Sequence, residues 1–214
     1  MRATKRVGHG GASGVVRGNT LESFDTALDI GVDMIEFDVR AACGRLVLAH
    51  TVFHARRPCV SLDEALAHLA APRFRDVELN VDVKHTGAEV QLLDALRRHD
   101  LASRTLVSSQ VPAVIDRVRR LAPVVRTGIS VGGRVSRRSQ HWGDWRGRVL
   151  AALRRGRFDA LMAHHGLIDE ALVDDVLGCG RELYAWTVSE RPTIGRLSGL
   201  GVTGITTPDP RLFM

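Results

Sequence analysis

Eight short β-branched apolar runs recur along the chain, all but the last followed by an amphipathic stretch, and this alternation constrains the fold more than any other feature. The runs span 5–8, 34–39, 77–83, 105–108, 124–129, 160–163, 183–188 and 204–206. Helical patterns occupy 21–30, 62–70, 88–99, 113–121, 149–155, 170–179 and 191–198. Strands alternating with helices imply right-handed parallel crossovers. Eight such strands in 214 residues predict a closed (β/α)8 barrel rather than a doubly wound sheet. No repeat, low-complexity tract or Pro/Ser linker divides the chain, so residues 1–214 are expected to form a single barrel domain.

One segment breaks the rhythm. Residues 45–50 also read as a strand, yet only 40–44 separate them from Val39, whereas a parallel return needs a dozen or more residues. A β-hairpin arm after the second strand is the expectation. Parallel barrels carry their sites at the carboxyl ends of the strands, so that arm returns His50 to the active face.

Residues two apart on a strand share a face. Glu36 and Asp38 do so at the end of the second strand, and Asn80, Asp82 and Lys84 on the third. Ile35, Phe37 and Val39 then face outward against helices. Carboxylates crowded into a barrel repel one another unless a proton or cation neutralises them. Glu36, Asp38 and Asp82 together make a hard, oxygen-rich set suited to Mg²⁺ or Ca²⁺; the alternative is a rim of carboxylates paired with Arg40 or Arg126. His9 follows the first strand and His50 ends the arm, so both belong over one mouth, where imidazoles can serve as proton donor and acceptor. His164 and His165 follow the sixth strand as further rim candidates. Trp186, near the end of the seventh, either walls a substrate or fills the core.

Composition matters at one position. The net charge of +6 comes from 28 Arg and only 2 Lys, Lys5 and Lys84. The arginines are scattered, without blocks or interleaved aromatics, which argues against a nucleic-acid partner. Against that background Lys84 stands out beside the acidic cluster, where a compact ammonium can reach a phosphate oxygen. The three cysteines show no metal spacing and fit reduced thiols. No apolar run approaches a membrane span and no signal peptide is visible, so a cytoplasmic protein is expected. A glycine-rich turn at 8–14 matches no dinucleotide fingerprint. The Arg- and Gly-rich stretch 134–148, with Trp142 and Trp145, reads as a long loop open to transient membrane-surface contact or to ordinary packing. Oligomeric state is left open.

The residues Gly8-His9-Gly10-Gly11, Gly18-Asn19-Thr20-Leu21-Glu22-Ser23-Phe24, Gly31-Val32-Asp33-Met34-Ile35-Glu36-Phe37-Asp38-Val39, Leu46-Val47-Leu48-Ala49-His50, Val81-Asp82-Val83-Lys84 and Ala185-Trp186-Thr187-Val188 together resemble the glycerophosphodiester phosphodiesterase family, nearly end to end. Glu36 and His50 follow His9 by 27 and 41 positions. The resemblance implies a metal-dependent TIM barrel hydrolysing a glycerophosphodiester or lysophospholipid to a phosphomonoester and an alcohol. By it, His9 and His50 are the acid/base pair, Glu36, Asp38 and Asp82 the ligands of Mg²⁺ or Ca²⁺, and Lys84 a phosphate contact; Trp186 and His164 are expected beside the substrate from their places at the strand ends. Departures stand at Gly10, where the family has Arg, at Gly18 for Glu, at Thr51 for Asp and at Asp82 for Glu. Only 32 positions separate His50 from Asp82, so the minimal barrel lacks the family's capping insertion. The rival readings are a sphingomyelinase-D-like lysolipid phosphodiesterase and a degenerate barrel that binds a phosphate ligand without turnover.

Overall fold

The computed structural model describes residues 3–132 and 141–214. Among the described residues nine strands form: β1 Lys5–His9, β2 Met34–Ala42, β3 Arg45–Leu48, β4 Glu78–Val83, β5 Thr105–Ser109, β6 Arg126–Val131, β7 Ala160–His164, β8 Glu182–Trp186 and β9 Gly204–Thr207. Eight of them, all but β3, pair in parallel around a closed ring in which β1 joins both β2 and β9. β3 lies outside it, antiparallel to β2 with Val39 opposite Leu48. The expected (β/α)8 TIM barrel and hairpin arm are both present.

The helices are α1 Leu21–Ile30, α2 Val52–Ala55, α3 Leu62–Leu69, α4 Glu89–Arg98, α5 Pro112–Leu121, α6 His141–Arg154, α7 Glu170–Leu177 and α8 Arg191–Gly199. Thr20 caps α1 and Ser61 caps α3 with reciprocal side-chain and backbone bonds, which fixes where the preceding loops end. Outward strand residues such as Ile35, Phe37, Leu79 and Val81 pack against the helices. Inside the ring, Val7, Met34, Leu106, Ala160, Met162 and Tyr184 fill the lumen. Gly204 is required there by close approach, because a Cβ would fall 2.6 Å from the Tyr184 ring.

The amino end of the lumen is closed by charge. Lys5 Nζ meets Glu78 Oε1 at 2.6 Å, and Arg126 bridges Glu78 and Glu182. This corrects one alternative from the sequence: Arg126 serves the floor of the barrel, not the acidic rim.

A second correction concerns 134–148. Residues 141–148 are helix, the first half of α6 rather than part of a loop, and 134–140 lie outside the described residues. Trp142 is buried and stacks on Trp145 with ring centroids 5.5 Å apart. Trp142 belongs to the core beneath α6, and Trp145 packs against it partly buried. No helix among the described residues is long and apolar enough to cross a membrane.

Candidate active site

The carboxyl ends of β1, β2 and β4 bring the predicted residues together. β2 and β4 run in register, with Glu36 opposite Asn80 and Asp38 opposite Asp82, so the period-two faces of both strands point to one place in the lumen. Ligand oxygens of Glu36, Asp38 and Asp82 all lie within 4.8 Å of one another. Three buried or half-buried carboxylates at that spacing suit a hard divalent cation, so the donor set fits the metal that the sequence resemblance implies.

Each carboxylate has a different environment. Glu36 is buried and accepts a hydrogen bond from the Gly10 backbone N–H at 3.0 Å. Burial and the neighbouring Asp38 charge push its carboxyl well above the ordinary value. Asp38, 1% exposed, behaves oppositely. Burial would raise it, but His50 and Lys84 outweigh that and hold it low. Asn19 supports the same carboxylate twice: its Nδ2 donates to Asp38 Oδ2 at 2.9 Å and its Oδ1 accepts from the Asp38 N–H at 3.0 Å. Asp82 accepts from Ser108 Oγ at 3.4 Å and from Lys84 Nζ. Desolvation acts to lower Lys84, yet Asp82, Asp38 and Glu36 together hold its ammonium above the ordinary value.

The histidines flank this cluster. His50 Nδ1 lies 3.2 Å from both Asp38 oxygens, which orients the ring with Nε2 away from the carboxylate. Arg40 Nε donates to the His50 carbonyl at 3.1 Å, fastening the end of the arm. His9 Nδ1 is 3.3 Å from Ser13 Oγ, and its Nε2 is 4.0 Å from Glu36 Oε2. Burial pulls His9 below the ordinary imidazole value.

Two cavities open here. An inner chamber of about 300 Å³ descends past Asn80, Ser130 and Trp186, and an outer groove of about 760 Å³ runs between the loop after β1 and the segment after β3. Trp186 walls the inner chamber, with its indole N–H donating to the Met162 carbonyl. His164, expected beside the substrate, does not line the chamber but stands behind Trp186, edge to face at 5.6 Å.

The departures noted in the sequence have local causes. A Cβ at Gly18 would lie 2.5 Å from Ser13 Cβ, so a larger residue there requires Ser13 or the loop to shift. Thr51 caps α2 by accepting from the His54 N–H, and Gly10, at φ +55°, turns its N–H onto Glu36. Asn19 escaped the reading of individual residues. Its signal was an Asn directly before a helix-capping Thr, a type that tolerates the left-handed backbone found there at φ +58°.

A closed parallel barrel with two histidines set over three carboxylates and a lysine at its carboxyl mouth defines a phosphoric diester hydrolase of the barrel type. The sequence pattern of the glycerophosphoryl diester phosphodiesterase family matches residues 9–58 and 75–212, and the chain belongs to that family. It is 25% identical to a glycerophosphodiester phosphodiesterase from Caldanaerobacter subterraneus subsp. tengcongensis, over 97% of this chain and 95% of the relative. Among solved structures, a phosphodiesterase from Oleispira antarctica in complex with the product sn-glycerol-3-phosphate is similar with TM-score 0.79 and 20% identity, covering 98% of this chain and 94% of that one. A glycerophosphodiester phosphodiesterase from Parabacteroides distasonis gives 0.78 and 21%, covering 96% and 93%. These likenesses show the same fold.

Proposed function

We propose that this barrel, one domain over 1–214, hydrolyses a glycerophosphodiester to a phosphomonoester and an alcohol, with His9 and His50 exchanging the protons. The observation that carries the reading is the convergence of Glu36, Asp38 and Asp82 within 4.8 Å directly beneath the two imidazoles. Glycerol phosphate as the product in the Oleispira neighbour supports the substrate class.

The residues divide the work. His9, kept neutral by burial, takes the proton of the attacking hydroxyl, whether water or the neighbouring glycerol hydroxyl. His50 carries its proton on Nε2 to the departing alkoxide, while Asp38 at Nδ1 fixes the ring and balances the imidazolium charge. One P–O bond forms at the nucleophile as the P–O bond to the leaving alcohol breaks; where the glycerol hydroxyl attacks, water then opens the cyclic phosphate to the monoester, one ring P–O bond breaking as the new P–O bond forms. Lys84 donates to a non-bridging phosphate oxygen. Glu36, Asp38 and Asp82 would hold Mg²⁺ or Ca²⁺, which when bound offsets the negative charge that builds on the phosphoryl oxygens.

Initial rates of alcohol release from glycerophosphodiesters, with chelator and after adding back each cation, test the reading. Turnover that needs the cation and falls with His50→Ala is expected. Chelator-resistant turnover, or wild-type rates in His50→Ala, would overturn it.

A further inference from the structure

The inner chamber and the outer groove share two lining residues, His9 and His50. A phosphodiester carries two ester arms on one phosphorus, and a phosphorus held between these histidines directs one arm into each cavity. At about 300 Å³ the inner chamber sits at the lower limit of ligand sites and takes a compact polyol, whereas the groove of about 760 Å³ lies well within their range. The groove is therefore the place where the second alcohol is selected.

Its exposed charge is mainly positive. Arg17, on the loop after β1, and Arg57, just past α2, both line the groove exposed, and neither has a carboxylate partner among the described residues. Of the two acids on the same walls, Asp38 is buried and ion-paired, and only Glu64 is exposed. Glu64 accepts from the Ser61 N–H at 2.8 Å and lies 2.6 Å from Ser61 Oγ. Asp38 is held by Asn19, His50 and Lys84. A cationic alcohol arm meets two guanidiniums against the single exposed carboxylate of Glu64, while an anionic arm meets charge-assisted donors of suitable fork geometry.

We propose that the outer groove is a subsite for an anionic alcohol arm, with Arg17 and Arg57 selecting glycerophosphodiesters whose second alcohol is a phosphorylated polyol. The inference rests on the diesterase reading above and adds the identity of the arm.

The test compares three diesters that share the glycerol phosphate arm and differ in the other: choline, glycerol, or a phosphorylated polyol. Initial rates at saturating Mg²⁺ and low salt are expected to give the phosphorylated arm a kcat/KM about tenfold above the neutral arm. Arg17→Ala with Arg57→Ala should bring that ratio to within about threefold, and Arg17→Glu with Arg57→Glu should invert it. Salt at about 0.5 M should compress the wild-type ratio, because exposed charges are screened. A wild-type enzyme that favours the choline arm, a ratio unmoved by the Arg variants, or a lysophospholipid outpacing all three would overturn the proposal. Turnover of the neutral-arm diester without anionic preference removes this inference alone; no turnover of any diester removes the diesterase reading beneath it.

Discussion

Lys84 Nζ lies 2.6 Å from Asp38 Oδ1 and also bonds Asp82, so its ammonium stands among the carboxylates proposed to hold the divalent cation. Two positive species then contend for the same oxygens, one tethered and one free. Lys84→Met removes the tethered one. Mg²⁺ binding measured by titration calorimetry is expected to tighten by about tenfold, while kcat/KM falls by ~10² through loss of the phosphate contact. Weaker Mg²⁺ binding in the variant would contradict this arrangement.

The proton-transfer roles have a pH signature. Burial lowers His9 below the ordinary imidazole value, so its neutral, proton-accepting form survives to lower pH than that of a solvated histidine. The acid limb of kcat/KM is expected below about pH 6.5. His9→Ala should abolish that limb with a loss of roughly 10²–10⁴-fold. A wild-type limb centred above that value would remove His9 as the base.

Glu36 offers a stability test free of turnover. Its folded carboxyl is raised by burial and by Asp38, so the folded state holds a proton more tightly than the unfolded chain. Stability is then full at pH below the unfolded value near 4.5 and is lost as pH rises through the folded one. Glu36→Gln cannot ionise. Without metal at pH 7 it is expected to raise Tm by about 2–4 °C, equivalent to about 1 kcal/mol, while abolishing cation binding in calorimetry. An unchanged or lower Tm would be inconsistent with the buried charge described.

Gly132 tests the aromatic wall. With φ at +154°, a Cβ there would lie 2.5 Å from His164 Cβ and 2.7 Å from the Trp186 ring. Gly132→Ala must therefore displace the wall of the inner chamber without touching the carboxylates. The expected result is a KM increase of about five- to tenfold with kcat within about threefold. Equal losses in both constants would place Trp186 in the chemistry itself.

Much of this arrangement was legible because strand geometry is rigid. Once Glu36, Asp38 and Asp82 lie on adjacent parallel strands, period two and a closed ring leave them one place to meet. The hairpin was legible for a similar reason: five residues cannot cross a barrel. Helix α6 was legible in part. Trp142, Trp145, Val149, Ala152 and Leu153 do recur at helical spacing, but Gly143, Gly147 and the surrounding arginines broke the pattern in its first half. β6 begins at Arg126, two residues later than read, because Val124 is apolar in sequence yet exposed. What the sequence could not convey were contacts made by backbone or by unpatterned polar residues. The Gly10 N–H on Glu36, the Asn19 carboxamide on Asp38 and the neck formed by His9 and His50 depend on loop conformation, which carries no periodicity.

The two lysines of this chain occupy opposite ends of one lumen. Lys5 sits in the charged floor with Glu78, and Lys84 in the mouth with Asp38 and Asp82. Reductive methylation with ¹³C-formaldehyde would therefore yield just two side-chain reporters, apart from any free α-amino group. The Lys84 resonance would follow cation and phosphate arriving at the site, and the Lys5 resonance would serve as an internal standard for the integrity of the barrel beneath it. A surface crowded with arginine thus leaves the enzyme spectroscopically almost silent except where the chemistry and the scaffold can be watched separately.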